Sequence, residues 1–240
     1  MTTVKLTQIN KTFQIPTQKQ DSLRERFVNL KFKQNYRRLR ALEDINLEVK
    51  SGQWLGLIGA NGSGKSTLLK IISGIYEPDS GEVKVSGRLV PFLELGVGFN
   101  PELSAKDNIY LNGVILGMSR KQVEAKFAAI VNFAGVSKFI NLKLKNFSTG
   151  MQLRLGFSIA MQTEADVFLL DEILAVGDFK FRQKAVKVFQ HLKREKKTVV
   201  LVSHEMEQIK QWCDRAVWLD HGKVRSSGRP TEVVKQYTAQ

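Results

Sequence analysis

Short apolar segments alternate with amphipathic ones along the chain, and their spacing predicts an α/β fold. Residues 54–58, 167–170 and 198–202 are apolar almost throughout, which is typical of strands that are covered on both faces. Residues 4–13 and 42–50 instead alternate apolar and polar positions, which predicts strands with one exposed face. The pattern therefore predicts two kinds of strand in one protein.

The middle of the chain predicts helices. Residues 104–163 read mainly as helices, and this block is long enough to form a helical lobe, about residues 100–163, inserted in an α/β core. Residues 82–87 and 89–93 predict short strands, and residues 216–224 predict a hairpin. At 240 residues, we expect one domain over residues 1–240 that contains this lobe.

A basic insert, about residues 14–40, separates the first two predicted strands. Leu23, Phe27 and Leu30 follow helical spacing, so the insert predicts an amphipathic helix. Such a helix either lies in an anionic membrane interface or packs on the protein's own sheet with a hydrated basic side. Its cations are Lys19, Arg24, Arg26, Lys31, Lys33, Arg37, Arg38 and Arg40, against Asp21 and Glu25.

The overall charge narrows the partners without choosing among them. A formal net charge of +14 fits nucleic acid and an anionic membrane surface equally well.

The single cysteine, Cys213, excludes an intrachain disulfide and favours a reducing compartment. The N-terminal residues have no apolar run of signal-peptide type, and no segment reaches the roughly 18 apolar residues of a membrane span.

The segment Gly59–Thr67 fits the pattern G-x-x-x-x-G-K-[ST] at every fixed position, between a predicted strand and a predicted helix. Glycines allow successive backbone N–H groups to point at one anion, and the helix adds its positive N-terminal end. The lysine suits β/γ-phosphates and the serine hydroxyl suits Mg²⁺. The predicted nucleotide-binding residues are Gly59, Asn61, Gly62, Ser63, Gly64, Lys65, Ser66 and Thr67.

Two further strand ends carry candidate catalytic residues. Asp171 and Glu172 end an apolar strand, so we expect Asp171 to hold Mg²⁺ and Glu172 to orient or deprotonate the attacking water. His204 follows the strand after that and is expected to donate a hydrogen bond to a γ-phosphate. The alternatives are surface acids after a buried strand and a structural histidine.

Ser148 is a predicted helix N-cap between the P-loop and Asp171. With these motifs in this order, the chain resembles the ATP-binding subunits of ABC transporters across nearly its whole length. The resemblance implies a P-loop NTPase core of ABC type with an inserted helical subdomain and an antiparallel β subdomain. It also implies ATP and Mg²⁺ as ligands.

The resemblance implies a head-to-tail homodimer in which ATP lies between the P-loop of one copy and the signature helix of the other. Ser148, Thr149 and Gly150 would then bind the γ-phosphate of the partner's nucleotide. Asp178 resembles the aspartate of the family's loop across that interface. Phe13 occupies the place of the aromatic residue that stacks on adenine, and its alternative is a buried aromatic at a strand end.

Departures from the family pattern indicate one branch. Glu94 stands where the family has a glutamine, and a carboxylate there could reach Mg²⁺ or the water. The sequences at residues 147–151 and 172–178 resemble the ATPases of polysaccharide exporters, as does the basic insert. Some members carry a further C-terminal carbohydrate-binding domain, and a chain that ends at Gln240 predicts its absence.

The predicted function is ATP hydrolysis that powers export of a lipid-linked polysaccharide: O-antigen, capsule or teichoic acid. The predicted partners are a second copy, a membrane permease and, through residues 14–40, the anionic membrane surface. The subunit is expected on the cytoplasmic face of the inner membrane, and no nucleic acid is expected. The rivals are a soluble ABC-type ATPase that acts on nucleic acid, which the net charge supports, and an ABC subunit for another substrate.

Overall fold

A six-stranded sheet forms the centre of the computed structural model, which describes residues 2–16, 36–92, 98–171 and 179–240. Its strand order is β5-β6-β7-β3-β8-β9, and every neighbouring pair is parallel except β8 and β9. The strands are β3 (Trp54–Ile58), β5 (Leu89–Phe92), β6 (Val167–Asp171), β7 (Thr198–Val202), β8 (Arg215–Asp220) and β9 (Lys223–Gly228).

The central strands are covered on both faces, as their apolar sequences predict. Every residue of β3 and β7 is buried, and so is every residue of β6 before Asp171. Trp54 and Ile58 point into one apolar core, whereas Leu55 and Leu57 point into the other, because successive strand residues face opposite sides. The sheet is therefore fixed between two cores, and its strand ends are rigid positions for functional residues.

A second, antiparallel sheet packs against one of these cores. It has the order β2-β1-β4, with β1 (Thr2–Pro16), β2 (Tyr36–Lys50) and β4 (Ser80–Val85). Val4, Leu6, Ile45, Leu47 and Val49 are buried in that core. The alternation seen in the sequence thus corresponds to a sheet with one buried face.

The two ends of the basic insert, residues 14–16 and 36–40, are strand residues of β1 and β2. Gln14 pairs with Arg38 and Ile15 with Arg37, which lengthens the β1–β2 hairpin beyond the predicted strand ends. Backbone ladder bonds do not depend on side-chain polarity, so a basic sequence can continue the hairpin. Leu23, Phe27 and Leu30, which carry the amphipathic pattern, lie outside the described residues.

Helices flank the central sheet and fill the middle of the chain. A third apolar cluster joins α2, α3 and α4 within the predicted lobe, whose boundaries as a subdomain remain a prediction. The helices are α1 (Lys65–Ile72), α2 (Ala105–Ile115), α3 (Arg120–Ala134), α4 (Thr149–Met161), α5 (Phe179–Arg194), α6 (Met206–Trp212) and α7 (Pro230–Thr238), with short 3-10 helices at Ser137–Phe139 and Leu144–Asn146.

Candidate functional site

The glycine-rich turn lies between β3 and α1, in the context that the motif requires. Gly59 and Gly64 have φ values of 151° and 108°, which L side chains rarely adopt. A Cβ atom at Gly64 would lie 2.7 Å from the carbonyl oxygen of Ala41. Both backbone strain and space therefore require glycine at Gly64.

Neighbouring elements hold this turn in place. The backbone N–H of Gly222, in the turn between β8 and β9, donates to the carbonyl oxygen of Ser63 at 3.0 Å. The Gly222 carbonyl in turn accepts from the backbone N–H of Glu43 on β2, at 2.8 Å. The turn is thus braced by both sheets, so its N–H groups keep a fixed direction.

Lys65 places a buried cation against the turn. Its side chain is 7% exposed, and its Nζ donates to the carbonyl oxygens of Gly59 at 2.7 Å and Ala60 at 2.9 Å. Within the described ranges, the Ser63 hydroxyl is buried and has no hydrogen-bond partner. A buried cation beside an unsatisfied hydroxyl is the arrangement of a site that accepts an anion.

A cavity of about 230 Å³ joins this turn to the ends of β6 and β7. Asp171 at the end of β6 and His204 just after β7 both reach it, because neighbouring parallel strands end at the same edge of the sheet. Its lining residues are Phe13, Leu39, Arg40, Ala41, Asn61, Gly62, Gly64, Lys65, Ser66, Thr67, Asp171 and His204.

The residues present fit a triphosphate with a magnesium ion. Ser66 and Asp171 offer a hydroxyl and a carboxylate to the same cavity, and oxygen ligands are those that Mg²⁺ prefers. Lys65 and the N-terminus of α1 offer positive charge for phosphate oxygens.

Phe13 lies on the wall of the cavity and is partly buried. Its ring meets Tyr76 edge to face at a centroid distance of 5.5 Å, and the Lys11 ammonium lies 5.6 Å from its centroid. Leu39 is its cross-strand partner and lines the same cavity. An aromatic and an aliphatic side chain thus form an apolar wall on which a base could stack.

Sequence reasoning missed Leu39, Arg40 and Ala41, because the second strand was predicted to begin at residue 42. These residues carry no motif. The signal that could have found them is the hairpin itself, since a strand that passes Phe13 must be paired by residues upstream of residue 42.

Arg40 is held at the cavity wall by an ion-pair network. Its Nη1 lies 3.1 Å from Glu43 Oε2, and Lys223 Nζ lies 3.1 Å from Glu43 Oε1. Hydrogen bonds from Lys223 and then from Arg40 lower the pKa of Glu43. The ionised carboxylate thus pairs with both Arg40 and Lys223 at the edge of the cavity.

The predicted signature residues do not join this cavity within one chain. Ser148 is the N-cap of α4, and its side chain accepts from the backbone N–H of Met151 at 3.2 Å. Ser148 and Thr149 are exposed, and a Cβ atom at Gly150 would meet nothing within 4 Å. The start of α4 is thus an open surface with free N–H groups.

Three other predicted site residues, Glu94, Glu172 and Asp178, lie outside the described residues. Their roles remain predictions.

The fold and the cavity define a P-loop nucleotide-binding protein. A family model described as ABC transporter matches residues 42–175. The chain belongs to the ABC transporter family, as one of its ATP-binding cassettes, and the predicted family and fold are confirmed.

Named relatives agree with the branch that the motifs indicated. The chain is 46% identical over 197 residues to the O-antigen export system ATP-binding protein RfbB of Myxococcus xanthus, which covers 82% of this chain and 45% of that protein. It is 40% identical over 201 residues to RfbB of Klebsiella pneumoniae, with 84% and 82% covered. It is 38% identical over 232 residues to the teichoic acids export ATP-binding protein TagH of Shouchella clausii (strain KSM-K16), with 97% and 64% covered.

The chain thus spans about half the length of the Myxococcus relative. Among solved structures, it is similar to the dimeric ATP-binding cassette MJ0796 bound to ADP and Pi, with a TM-score of 0.75 at 23% identity. That match covers 95% of this chain and 98% of the other. At this identity the likeness supports the fold alone.

Over the described residues, each helix is too short or too polar to cross a bilayer.

Proposed function

We propose that the chain hydrolyses ATP to power export of a lipid-linked polysaccharide, either O-antigen, capsule or teichoic acid, through a membrane permease. The observation that carries the proposal is the 46% identity to an O-antigen export ATPase over 82% of this chain, in a chain whose P-loop, Asp171 and His204 line one cavity. The teichoic acid export relative, aligned over 97% of this chain, supports the same class of substrate.

The chain's own residues divide the work of holding the nucleotide. The N–H groups of the P-loop and the Lys65 ammonium bind the β- and γ-phosphates, and Phe13 stacks on the base. Ser66 and Asp171 would hold Mg²⁺, which when bound supplies positive charge against the phosphate oxygens.

Hydrolysis requires a positioned water beside the γ-phosphorus. Glu172, the residue after β6, accepts a proton from that water. The water oxygen forms a bond to phosphorus as the bond between phosphorus and the ADP oxygen breaks. His204 lines the cavity and donates a hydrogen bond to a γ-phosphate oxygen as negative charge redistributes there.

A second copy of the chain completes the site. The open start of α4, with Ser148 and Gly150 at the surface, supplies N–H groups for the nucleotide of the partner. ATP therefore closes a head-to-tail dimer, and hydrolysis reopens it. Asp178 contributes to the same interface.

The permease and the membrane engage other surfaces. Leu111, Val114 and Ile115 are exposed on one face of α2, and exposed apolar side chains of this kind support contact with a protein partner. Arg37 and Arg38 are exposed at the hairpin end, which supports contact of the basic insert with anionic lipid. The subunit thus lies on the cytoplasmic face of the membrane.

The test is reconstitution in liposomes with the cognate permease. ATP-dependent transfer of the lipid-linked polymer is expected for the natural chain and lost for Glu172→Gln, which keeps ATP binding. ATP hydrolysis that responds to DNA or RNA but not to the permease would instead favour the nucleic-acid ATPase.

A further inference from the structure

A second cleft, of about 610 Å³, lies between α5 and the helical cluster, which is the group of α2, α3 and α4 joined by the third apolar cluster. It is lined by α3, by the C-terminal end of α4 and by one face of α5, and it shares no lining residue with the nucleotide cavity. Its volume is in the range of pockets that hold small organic ligands.

The floor of this cleft is apolar and rigid. Phe133, Met161, Val188 and Leu192 line it, and all of them belong to or pack against the main apolar core. The Phe133 ring also meets Phe181 edge to face at a centroid distance of 5.9 Å. A ligand with an aromatic or aliphatic body therefore finds a preformed surface.

Two of the cations at the cleft already donate hydrogen bonds to backbone carbonyl groups. Lys126 Nζ donates to the carbonyl oxygen of Gln162 at 2.7 Å, and Lys184 Nζ donates to that of Phe133 at 3.0 Å. These carbonyl groups end α4 and α3, where a cation offsets the negative end of the helix. Lys126 and Lys184 thus close the helix ends that border the cleft.

Two other side chains at the cleft can donate hydrogen bonds but make none within the described part of the fold. Lys187 and His191 lie one turn apart on the exposed face of α5 that lines the cleft. Among the residues that the structure describes, neither has a hydrogen-bond or ion-pair partner, and no Asp or Glu lines the cleft. The cleft therefore combines an apolar floor with uncompensated donors at its rim.

We propose that this cleft binds a small amphiphilic anion, with an aromatic or aliphatic body and one sulfonate, carboxylate or phosphate group. The body lies on Phe133, Met161 and Val188, and the head group accepts hydrogen bonds from Lys187 and His191. The site is separate from the nucleotide cavity and does not depend on the exported substrate. Because both the helical cluster and α5 line the cleft, a bound ligand contacts both.

The test compares two fluorescent probes that share one body. 1-Anilinonaphthalene-8-sulfonate carries an anionic group, whereas N-phenyl-1-naphthylamine has the same rings without it. Each is titrated into the full chain in the presence of a saturating non-hydrolysable ATP analogue, which occupies the nucleotide cavity. We expect saturable binding of one sulfonate probe per chain, with a Kd about tenfold lower than that of the neutral probe.

Variants locate the probe. Lys187→Ala combined with His191→Ala removes two exposed side chains and should raise the Kd of the sulfonate probe about tenfold, while the neutral probe is unaffected. Lys138→Ala, at an exposed lysine in a 3-10 helix away from the cleft, is the matched control and should change neither Kd. ATP hydrolysis should be the same in all three proteins.

Several results would overturn the proposal. They are displacement of the sulfonate probe by the ATP analogue, equal affinity for the two probes, and an unchanged Kd in the double variant whose circular dichroism and thermal midpoint match the natural chain.

Discussion

Two helices begin at glycine-containing motifs, but only the P-loop start is enclosed. At the start of α1, Lys65 is 7% exposed, and a Cβ atom at Gly64 would lie 2.7 Å from a backbone oxygen. At the start of α4, a Cβ atom at Gly150 would meet nothing within 4 Å. Both helix starts carry backbone N–H groups outside the helix ladder, although Ser148 caps that of Met151 in α4, and their surroundings decide what each can do alone.

If the proposed function is right, this difference explains why one chain is an incomplete site. The β1–β2 hairpin and the β8–β9 turn close around the P-loop, and they bring Phe13 and Arg40 to the cavity. The start of α4 has no such surroundings in the described part of the chain, where Ser148 and Thr149 are exposed. Under the proposed function, a second copy supplies the missing wall.

The largest loss of ATP hydrolysis should come from a substitution at the enclosed start of α1. Lys65→Ala removes the buried cation that is proposed to bind the phosphates, so we expect ATP hydrolysis with the permease to fall about 100-fold. The measurement is steady-state phosphate release from the reconstituted complex. Lys138→Ala, which removes an exposed lysine, should retain full activity. A Lys65→Ala protein with more than half of the natural activity would remove the phosphate role from this residue.

The same added methyl group should affect the starts of α1 and α4 very differently. Gly64→Ala meets both an unfavourable φ and the Ala41 carbonyl, so we expect a loss of about 2 kcal/mol or more in the free energy of unfolding. Gly150→Ala enters open space and should change that free energy by no more than about 0.5 kcal/mol. Urea denaturation measures both.

The rate of ATP hydrolysis is a second measurement that tests Gly150→Ala. Because Gly150 is proposed to face the partner's nucleotide, Gly150→Ala should bind ATP normally as a monomer and still lose about tenfold in hydrolysis. Unchanged hydrolysis in a stable Gly150→Ala protein would mean that this surface does not close on a nucleotide.

The same contrast explains what the sequence could predict. The P-loop, Asp171 and His204 were predictable because strand ends and a turn motif fix their positions locally. Leu39 and Arg40 were not, because they reach the cavity only through the register of a hairpin that is longer than the alternating pattern indicated. The apolar patterns predicted the buried strands, because burial on both faces requires apolar residues at every position.

A smaller effect is expected from the apolar wall of the nucleotide cavity, on which a base could stack. Phe13→Ala removes the aromatic face that lines the cavity, so we expect the Kd for ATP to rise about tenfold. Isothermal titration calorimetry of the isolated chain measures it. Tyr76→Ala is a useful control, since Tyr76 contacts the Phe13 ring but does not line the cavity, and its effect should be smaller. Equal losses would indicate that Phe13 acts through packing.

The smallest expected effect concerns the residue that anchors Arg40. Glu43→Gln keeps the size of the side chain and removes the charge that pairs with Arg40 and Lys223, each at 3.1 Å. All three side chains are partly or largely exposed, so each ion pair contributes little to stability. We therefore expect an unchanged thermal midpoint and a rise of about twofold in the Kd for ATP at low salt, as Arg40 leaves the cavity wall. The difference should disappear at about 1 M salt, where the Debye length falls to about 3 Å. A twofold effect that persists at high salt would show that the Glu43 side chain acts through the geometry of its hydrogen bonds rather than through its charge.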